Sequence, residues 1–473
     1  MQGRLSRFRR RVSDCAVGMG RVCVVVGRPG RIVAIGLVLA ATTLARADYQ
    51  ATSSGPTTAV ELDATAKSLA EVSQAIKSFE KRDFDACLQQ LIEAVKAHPE
   101  LPPAHVLFAK LAFQGNQPTL IRSALERAAA QAPEHPEVYI LFGNLALLEG
   151  RLTDASVHFE KATSLATAKT WTDEQRSRFV LVCHQGMAIV AENQGDWKAT
   201  RVALTAWLAL EPGNARARQR LGKALFGLGT YTEAHQELQR AAKEDATLEP
   251  AAVSMGWLYS RAGNPKKAEE WMDYAVKSAP DSLPVHMGVA AWLLEQGRAD
   301  EAKKHADSAA KLDPKSIDVK RVVGLVARQR NDLAEAERVF QALSLESPGD
   351  AWVRNQLALI LAMQTGESKG RRALELAELS VRQNPNNADA LATLGTVYYH
   401  LHRLPEAEKI LQAVVSSGKG DSDAAYILSR VKSDNGETDA VAPLLKTALN
   451  APGLFMARKE AQQSLDRLTK TSK

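Results

Sequence analysis

The sequence predicts an all-α protein built from stacked pairs of helices, and three observations lead to that fold class. Alanine and leucine recur throughout the chain, whereas runs that alternate apolar with polar residues, as strands do, are scarce. Glycine or alanine recurs inside apolar helical patterns, mostly in steps of 34 residues. A proline follows most of these units, where its ring ends a helix. A fixed period of this size is typical of a solenoid.

The first 47 residues are typical of an export signal. They contain nine arginines and a single acidic residue, Asp14, and an apolar run covers residues 32–45. Ala45-Arg46-Ala47 has the small-x-small pattern that a signal peptidase recognises, so we expect the mature chain to begin at Asp48. The alternative is an uncleaved signal that anchors the chain to the inner membrane. We expect location in a periplasm or at a cell surface.

Residues 48–66 have the Ser, Thr, Gly and Pro content of a flexible linker. The charge of the chain is +6, but residues 1–47 contribute +8, so the remainder is slightly acidic. Nucleic-acid binding is therefore not expected, because it needs a basic surface. Cys87 and Cys183 lie in apolar helical patterns, which favours buried thiols over redox or metal roles.

The repeat unit begins with a helix that contains a small residue. These small positions are Ala75, Ala109, Gly143, Ala188, Gly222, Gly256, Ala290, Gly324, Ala358, Gly395 and Ser429. A second small residue follows 12 positions later, as Ala155 follows Gly143, and a bulky residue such as Phe159 comes four further on. Spacings of three and four place such residues on one helical face. We therefore expect the two helices of a pair to approach closely at the small residues, with Phe159 filling the adjoining space.

The unit resembles the tetratricopeptide repeat (TPR) from about residue 67 to 452. Repeat three, with Tyr139, Phe142, Gly143, Ala155 and Phe159, is close to the family pattern. The resemblance implies a right-handed α-α superhelix of about 11 antiparallel helix pairs, with a concave groove lined by the first helix of each pair. It also implies that the groove is where a partner binds.

Two irregular steps interrupt the period, and a closing helix follows it. Eleven extra residues near 168–180, where Thr172 and Gln175 have capping-box spacing, predict a first helix about three turns longer than its neighbours. Three extra residues near 366–371 predict a longer turn between helices. Residues 453–473 form an amphipathic pattern that predicts a capping helix and tail.

The sequence contains none of the common catalytic motifs, such as HExxH or a Walker A loop. His400 and His402 are close together but have no acidic partner beside them, so we expect a solvated surface rather than a metal site. We therefore expect no enzyme activity, no metal and no cofactor.

The groove positions of the first helices give the candidate partner-binding residues. Their basic and aromatic members are Arg216, Lys223, Phe226, Trp257, Arg321, Arg328 and Trp352. Basic groups beside tryptophan predict binding of an acidic or C-terminal peptide segment. The alternative is that the arginines are solvated and that Trp257 packs against the next unit.

These observations predict a non-catalytic scaffold or adaptor that binds another protein in its concave groove. A membrane is expected as a partner only through an uncleaved N-terminal signal. The alternative function is a carrier or sensor of an acidic polymer, such as a polysaccharide, at the cell envelope.

Overall fold

The computed structural model describes residues 61–451 and 453–471, and this part of the chain is entirely helical, with 24 helices and no strand. A short helix α1 (Ala64–Ser68) precedes eleven helix pairs. The first six pairs are α2 (Ala70–Glu80) with α3 (Phe84–Ala97), α4 (Ala104–Gln114) with α5 (Pro118–Gln131), α6 (Pro136–Leu148) with α7 (Leu152–Ala166), α8 (Asp173–Gln194) with α9 (Trp197–Leu210), α10 (Ala215–Gly227) with α11 (Tyr231–Glu244), and α12 (Ala251–Arg261) with α13 (Pro265–Ser278).

The other five pairs are α14 (Leu283–Glu295) with α15 (Ala299–Leu312), α16 (Ile317–Gln329) with α17 (Leu333–Glu346), α18 (Ala351–Ala362) with α19 (Glu367–Gln383), α20 (Ala388–His400) with α21 (Leu404–Ser416), and α22 (Ser422–Asp434) with α23 (Thr438–Asn450). The last helix is α24 (Arg458–Thr471). The predicted fold class, helix pairs closed by a C-terminal helix, is confirmed.

The ends of the helices follow local chemistry. Asp83, Asn214 and Asp332 each precede a helix and accept a hydrogen bond from a backbone N–H of its first turn, which satisfies a group that has no partner within the helix. Gly150 and Gly229 follow first helices with φ of 70° and 81°, a left-handed conformation that glycine adopts at low cost. The chain can therefore reverse within a few residues and form the second helix of each pair.

The small residue of each first helix accommodates the bulky residue sixteen positions later. A Cβ atom added at Gly143 would lie 2.8 Å from the Phe159 ring, and one at Gly324 would lie 2.6 Å from Phe340. Both phenylalanines are fully buried. The close approach expected from the sequence is thus real, but at Gly143 the group that needs the space is the aromatic ring rather than Ala155.

The two irregular steps lengthen helices. Helix α8 has 22 residues and begins with the expected capping box between Thr172 and Gln175, which confirms the long first helix. The extra residues near 366–371 are divided between the expected longer turn and a longer second helix. The turn 363–366 has four residues where the turn 330–332 has three, and α19 has 17 residues where most second helices have about 14. The added chain continues the helical hydrogen-bond ladder, which satisfies more backbone groups than an open turn does.

The predicted signal and most of the predicted linker lie outside the described residues. The end of the linker, residues 61–66, differs from the expectation because it is folded. Leu62 and Ala66 are buried, and Asp63 Oδ2 lies 2.6 Å from Arg178 Nη1 of α8. Burial of Leu62 among the apolar side chains of the first repeats explains why residues 61–66 are part of the folded repeats rather than of the linker.

Helix α24 and the residues before it pack on the last helix pair. Phe455 and Ala461 are fully buried, and the Phe455 ring lies 5.9 Å from that of Tyr426. No helix in the described part of the chain is both long and apolar enough to cross a membrane.

Candidate partner-binding site

A cavity of about 1210 Å³ opens among the first helices of the last four pairs and the start of α24. We call it the C-terminal trough. Its side chains come from α16, α18, α19, α20 and α22, and from the residues around Met456. The residues that line the trough include Arg328, Trp352, Asn355, Leu359, Met363, Glu367, Arg371, Asp389, Tyr399, His400, Asp421, Asp423, Tyr426, Ile427, Arg430, Asp434, Met456 and Glu460. A concave site of this size that combines apolar and polar groups is typical of ligand binding.

One part of the lining is apolar and aromatic. Trp352 is 37% exposed, although its ring lies 5.8 Å from that of Phe340. Leu359, Met363 and Ile427 also face the cavity. A partner that covers these groups removes apolar surface from water, which stabilises the complex.

The charged part of the lining is acidic. It holds six carboxylates and three guanidinium groups, and only one carboxylate, Glu367, is paired with one of them, Arg371, at 3.9 Å. Asp389, Asp421 and Asp423 have no basic side chain within 4 Å in the part of the chain that the structure describes. The trough therefore attracts cations more strongly than anions.

Arg328 lies deep in the trough. Its Nη1 donates a hydrogen bond to Gln356 Oε1 at 2.6 Å, whereas its buried Nε has no acceptor. Burial lowers the pKa of the Arg328 guanidinium, and attraction to Asp423 and Asp421 opposes that shift. Repeat eight and repeat eleven, some 95 residues apart in sequence, thus face each other here.

The surroundings of the aspartates opposite Arg328 disfavour their charged form. Burial raises the pKa of Asp423 to about 6, the positive charge of Arg328 opposes that shift, and Asp421 adds a smaller repulsion. Burial also raises the pKa of Asp421, the hydrogen bond from the Ala424 N–H opposes that shift, and Asp389 adds repulsion. Removing a carboxylate from water disfavours its charged form, and a neighbouring carboxylate does so further. Arg328 thus attracts Asp421 and Asp423, although among the described residues it makes no ion pair with either within 4 Å.

His400 also lines the trough and is half-buried, whereas His402 is exposed, so the expectation of a solvated surface was wrong for His400 only. Burial lowers its pKa to about 4, and the positive charges of Arg328 and Arg430 add to the effect. The imidazole is therefore neutral at pH 7 and does not offset the aspartates.

Asn355 lines the same cavity, but its side-chain oxygen is buried away from solvent. The residue is 7% exposed, and its Oδ1 has no hydrogen-bond donor among the described residues. A buried amide oxygen without a partner costs free energy, and a ligand in the cavity does not reach this atom.

Three of the groove residues expected from the sequence lie in or beside the trough. Arg328 and Trp352 line it. Arg321 lies beside it, with its guanidinium 5.5 Å from the Trp352 ring and paired with Asp318 at 3.0 Å and Asp350 at 2.5 Å. Because Arg321 already has two carboxylate partners, it is a weaker candidate for a partner's charge.

The other four predicted residues lie outside the trough, on α10 and α12. Arg216 is exposed and Lys223 is half-buried. Phe226 packs against Tyr231 and Tyr259, with ring centroids 5.1 and 4.8 Å away. Trp257 lies under the Arg261 guanidinium at 5.5 Å. The structure does not bring these four side chains to the trough.

Sequence reasoning missed the acidic side of the trough. Asp421 and Asp423 flank the start of α22, where acidic residues are commonly helix caps, and Asp421 does accept a hydrogen bond from the Ala424 N–H at 2.7 Å. The sequence signal was therefore that of an ordinary cap. Only the approach of α22 to Arg328 shows that these carboxylates also face a cavity.

The described residues contain no cluster of three or more His, Cys, Asp or Glu side chains arranged to hold a metal ion.

Comparison with known proteins identifies the repeats. A family model described as "Tetratricopeptide repeat" matches residues 193–255 and 364–431, and a second model with that description matches residues 292–351. The chain therefore contains tetratricopeptide repeats, as the sequence predicted.

Similar proteins match parts of the chain. A TPR repeat-containing protein of Pseudomonas aeruginosa is 24% identical over 211 residues, which are 43% of this chain and 35% of that protein. Cellulose synthase 1 operon protein C of Komagataeibacter xylinus is 24% identical over 204 residues, 40% of this chain and 15% of that protein. The chain thus spans about a third or less of the length of these curated relatives. Among solved structures, yeast Tom70 has a TM-score of 0.36 and 13% identity, covering 87% of this chain and 97% of that one.

Proposed function

We propose that this chain is a non-catalytic scaffold that binds a segment of another protein in the C-terminal trough. The observation that supports the proposal is the trough itself, about 1210 Å³ in volume, lined by partly exposed aromatic groups and by carboxylates that make no ion pair among the described residues. Stacked helix pairs hold this lining in place before a partner arrives, so little conformational entropy is lost on binding. The tetratricopeptide repeats of the chain also favour a role in protein interaction.

The same lining disfavours the alternative of an acidic polysaccharide. Six carboxylates against three guanidinium groups would repel a polyanion from the trough. The groove of repeats five and six, with Arg216 and Lys223, is the second place where a partner could bind.

We also propose that the chain is exported. The support is the arginine-rich segment, the apolar run 32–45 and the Ala45-Arg46-Ala47 pattern. N-terminal sequencing of the protein purified from its own cells tests this proposal: a chain that starts at Asp48 supports cleavage, and an intact Met1 or Met19 contradicts it.

The scaffold proposal is tested by comparing partners retained by three variants of the tagged chain. Trp352→Ala with Tyr399→Ala removes two aromatic groups of the trough. Tyr274→Ala with Leu345→Ala removes exposed apolar groups of second helices, outside the trough, and is the matched control. Arg216→Glu with Lys223→Glu tests the other part of the groove.

We expect one defined partner to be lost by the trough variant and retained by the other two, with cross-links from the wild-type chain mapping to α18, α20 or α22. Equal recovery of all partners by the trough variant and the wild type would contradict the proposed site. A partner that is lost only with the Arg216→Glu/Lys223→Glu variant would show that the binding site lies in repeat five.

A further inference from the structure

We propose that the segment bound in the C-terminal trough is basic, with a lysine or arginine side chain seated near Asp421 and Asp423. This inference rests on the proposed function and names the chemistry of the partner. From the basic groove residues, the sequence predicted an acidic peptide as the partner. The charge of the trough favours a basic one.

The charge of the lining favours a basic segment. Asp389, Asp421 and Asp423 line one cavity, and none of them makes an ion pair among the described residues. Arg328 attracts Asp421 and Asp423 but makes no ion pair with them within 4 Å. The six carboxylates of the trough outnumber its three guanidinium groups, so a ligand cation supplies positive charge that Arg328 alone does not.

The size of the cavity favours a peptide segment over a bare ion. The cavity holds about 1210 Å³, and part of its lining is aromatic or apolar, including Trp352 and Leu359. A bare cation cannot cover that part of the lining, and the cavity is far larger than an ion needs.

The aromatic and the acidic side chains stand on different sides of the trough. Trp352 and Tyr399 stand on the side of the trough formed by α18 and α20, whereas Asp421 and Asp423 stand at the start of α22. A lysine or arginine suits this combination because its aliphatic stem packs on aromatic rings while its charged end reaches the carboxylates. An acidic segment would place its charge against these carboxylates.

The test is selection of random peptides displayed on phage against the full chain. Wild-type protein is compared with Asp421→Asn/Asp423→Asn, which keeps the shape of both side chains and retains a good helix cap at position 421. The matched control is Asp439→Asn/Asp466→Asn, the same loss of charge at two exposed positions outside the trough. Circular dichroism and the thermal midpoint establish that each variant is folded.

We expect peptides enriched in lysine and arginine with the wild type and the control, and loss of that enrichment with Asp421→Asn/Asp423→Asn. For one selected peptide, we expect the Kd to rise at least tenfold in that variant and less than twofold in the control. The Kd for the wild type should also rise with NaCl concentration, because salt screens the attraction.

The outcomes separate this inference from the proposed function. Recovery of peptides that are acidic or neutral, or basic peptides that bind the Asp421→Asn/Asp423→Asn variant equally well, would overturn the basic segment while leaving the trough as a binding site. Recovery of no peptide that distinguishes the wild type from Trp352→Ala/Tyr399→Ala would overturn both.

Discussion

The contact between Phe159 and two glycines gives a sharp test of how the repeats pack. The Phe159 ring is fully buried between α6 and α8. A Cβ atom at Gly143 would lie 2.8 Å from the ring, and one at Gly186 would lie 2.3 Å from it. Because Gly186 lies inside α8, helix propensity alone predicts that Gly186→Ala stabilises the protein by about 1 kcal/mol.

Packing predicts the opposite effect, that Gly186→Ala destabilises the protein. Carbon atoms make favourable contacts at about 3.5 to 4.0 Å, so the new methyl group at Gly186 would be more than 1 Å too close to the ring. Overpacking of this kind costs about 1 to 3 kcal/mol, and the separation of 2.3 Å places the cost at the upper end. After the gain in helix propensity is subtracted, we expect Gly186→Ala to destabilise repeats three and four by about 1 to 2 kcal/mol.

Hydrogen–deuterium exchange read by mass spectrometry is the suitable assay, because a long repeat array need not unfold in one step. We expect faster exchange in α6, α7 and α8 of Gly186→Ala and unchanged exchange in α20 to α23. The control is Gly213→Ala, where no atom lies within 4 Å of the added Cβ. Phe159→Leu should cost less in the Gly186→Ala background than in the wild type, since a smaller side chain makes room for the methyl group. Slower exchange in Gly186→Ala would refute the packing argument.

Three further predictions follow from buried ionisable groups. Because the pKa of Asp423 is raised to about 6, its ionisation destabilises the fold as the pH rises from about 4 to 6; Asp423→Asn should therefore raise the thermal midpoint at pH 7 and much less at pH 4, and an equal effect at both values would count against the assignment. Lys110 and Glu137 form a buried ion pair at 3.3 Å, so Glu137→Gln should destabilise the first repeats by about 3 to 5 kcal/mol in urea unfolding, and a loss below about 1 kcal/mol would show that Lys110 finds another partner. Burial raises the pKa of Cys87 to about 12 and that of Cys183 to about 11, so iodoacetamide at pH 8 should label both only in denaturant; labelling of the native chain would contradict their burial.

The fold was predictable from the sequence because its causes are local and repeated. The small residue at Gly143, the bulky residue at Phe159 and the left-handed glycine at Gly150 each act within one unit of 34 residues, and the same device recurs in the next unit. The long helix α8 was predictable for the same reason, since Thr172 and Gln175 are three residues apart. The extra residues near 366–371 were predicted only in part: the turn is one residue longer than in most pairs, but most of the added chain extends α19, and only packing selects between a turn and a longer helix.

The site was predictable only in part. Arg328 and Trp352 were expected on the groove face from their positions relative to the small residues, and both line the trough. The paired state of Arg321, and the packing of Phe226 against two tyrosines, depend on neighbours from other helices. Such contacts have no signature within one repeat.

The sequence by itself determined that this chain folds as helix pairs, because helix propensity, capping and the 34-residue spacing act between residues that are near one another in the chain. The tertiary structure alone decided the charge of the C-terminal trough. Repeat eight contributes Arg328 and repeat eleven contributes Asp421 and Asp423, and the electrostatic interaction between them depends on distance in space, which the curvature of the stacked pairs sets.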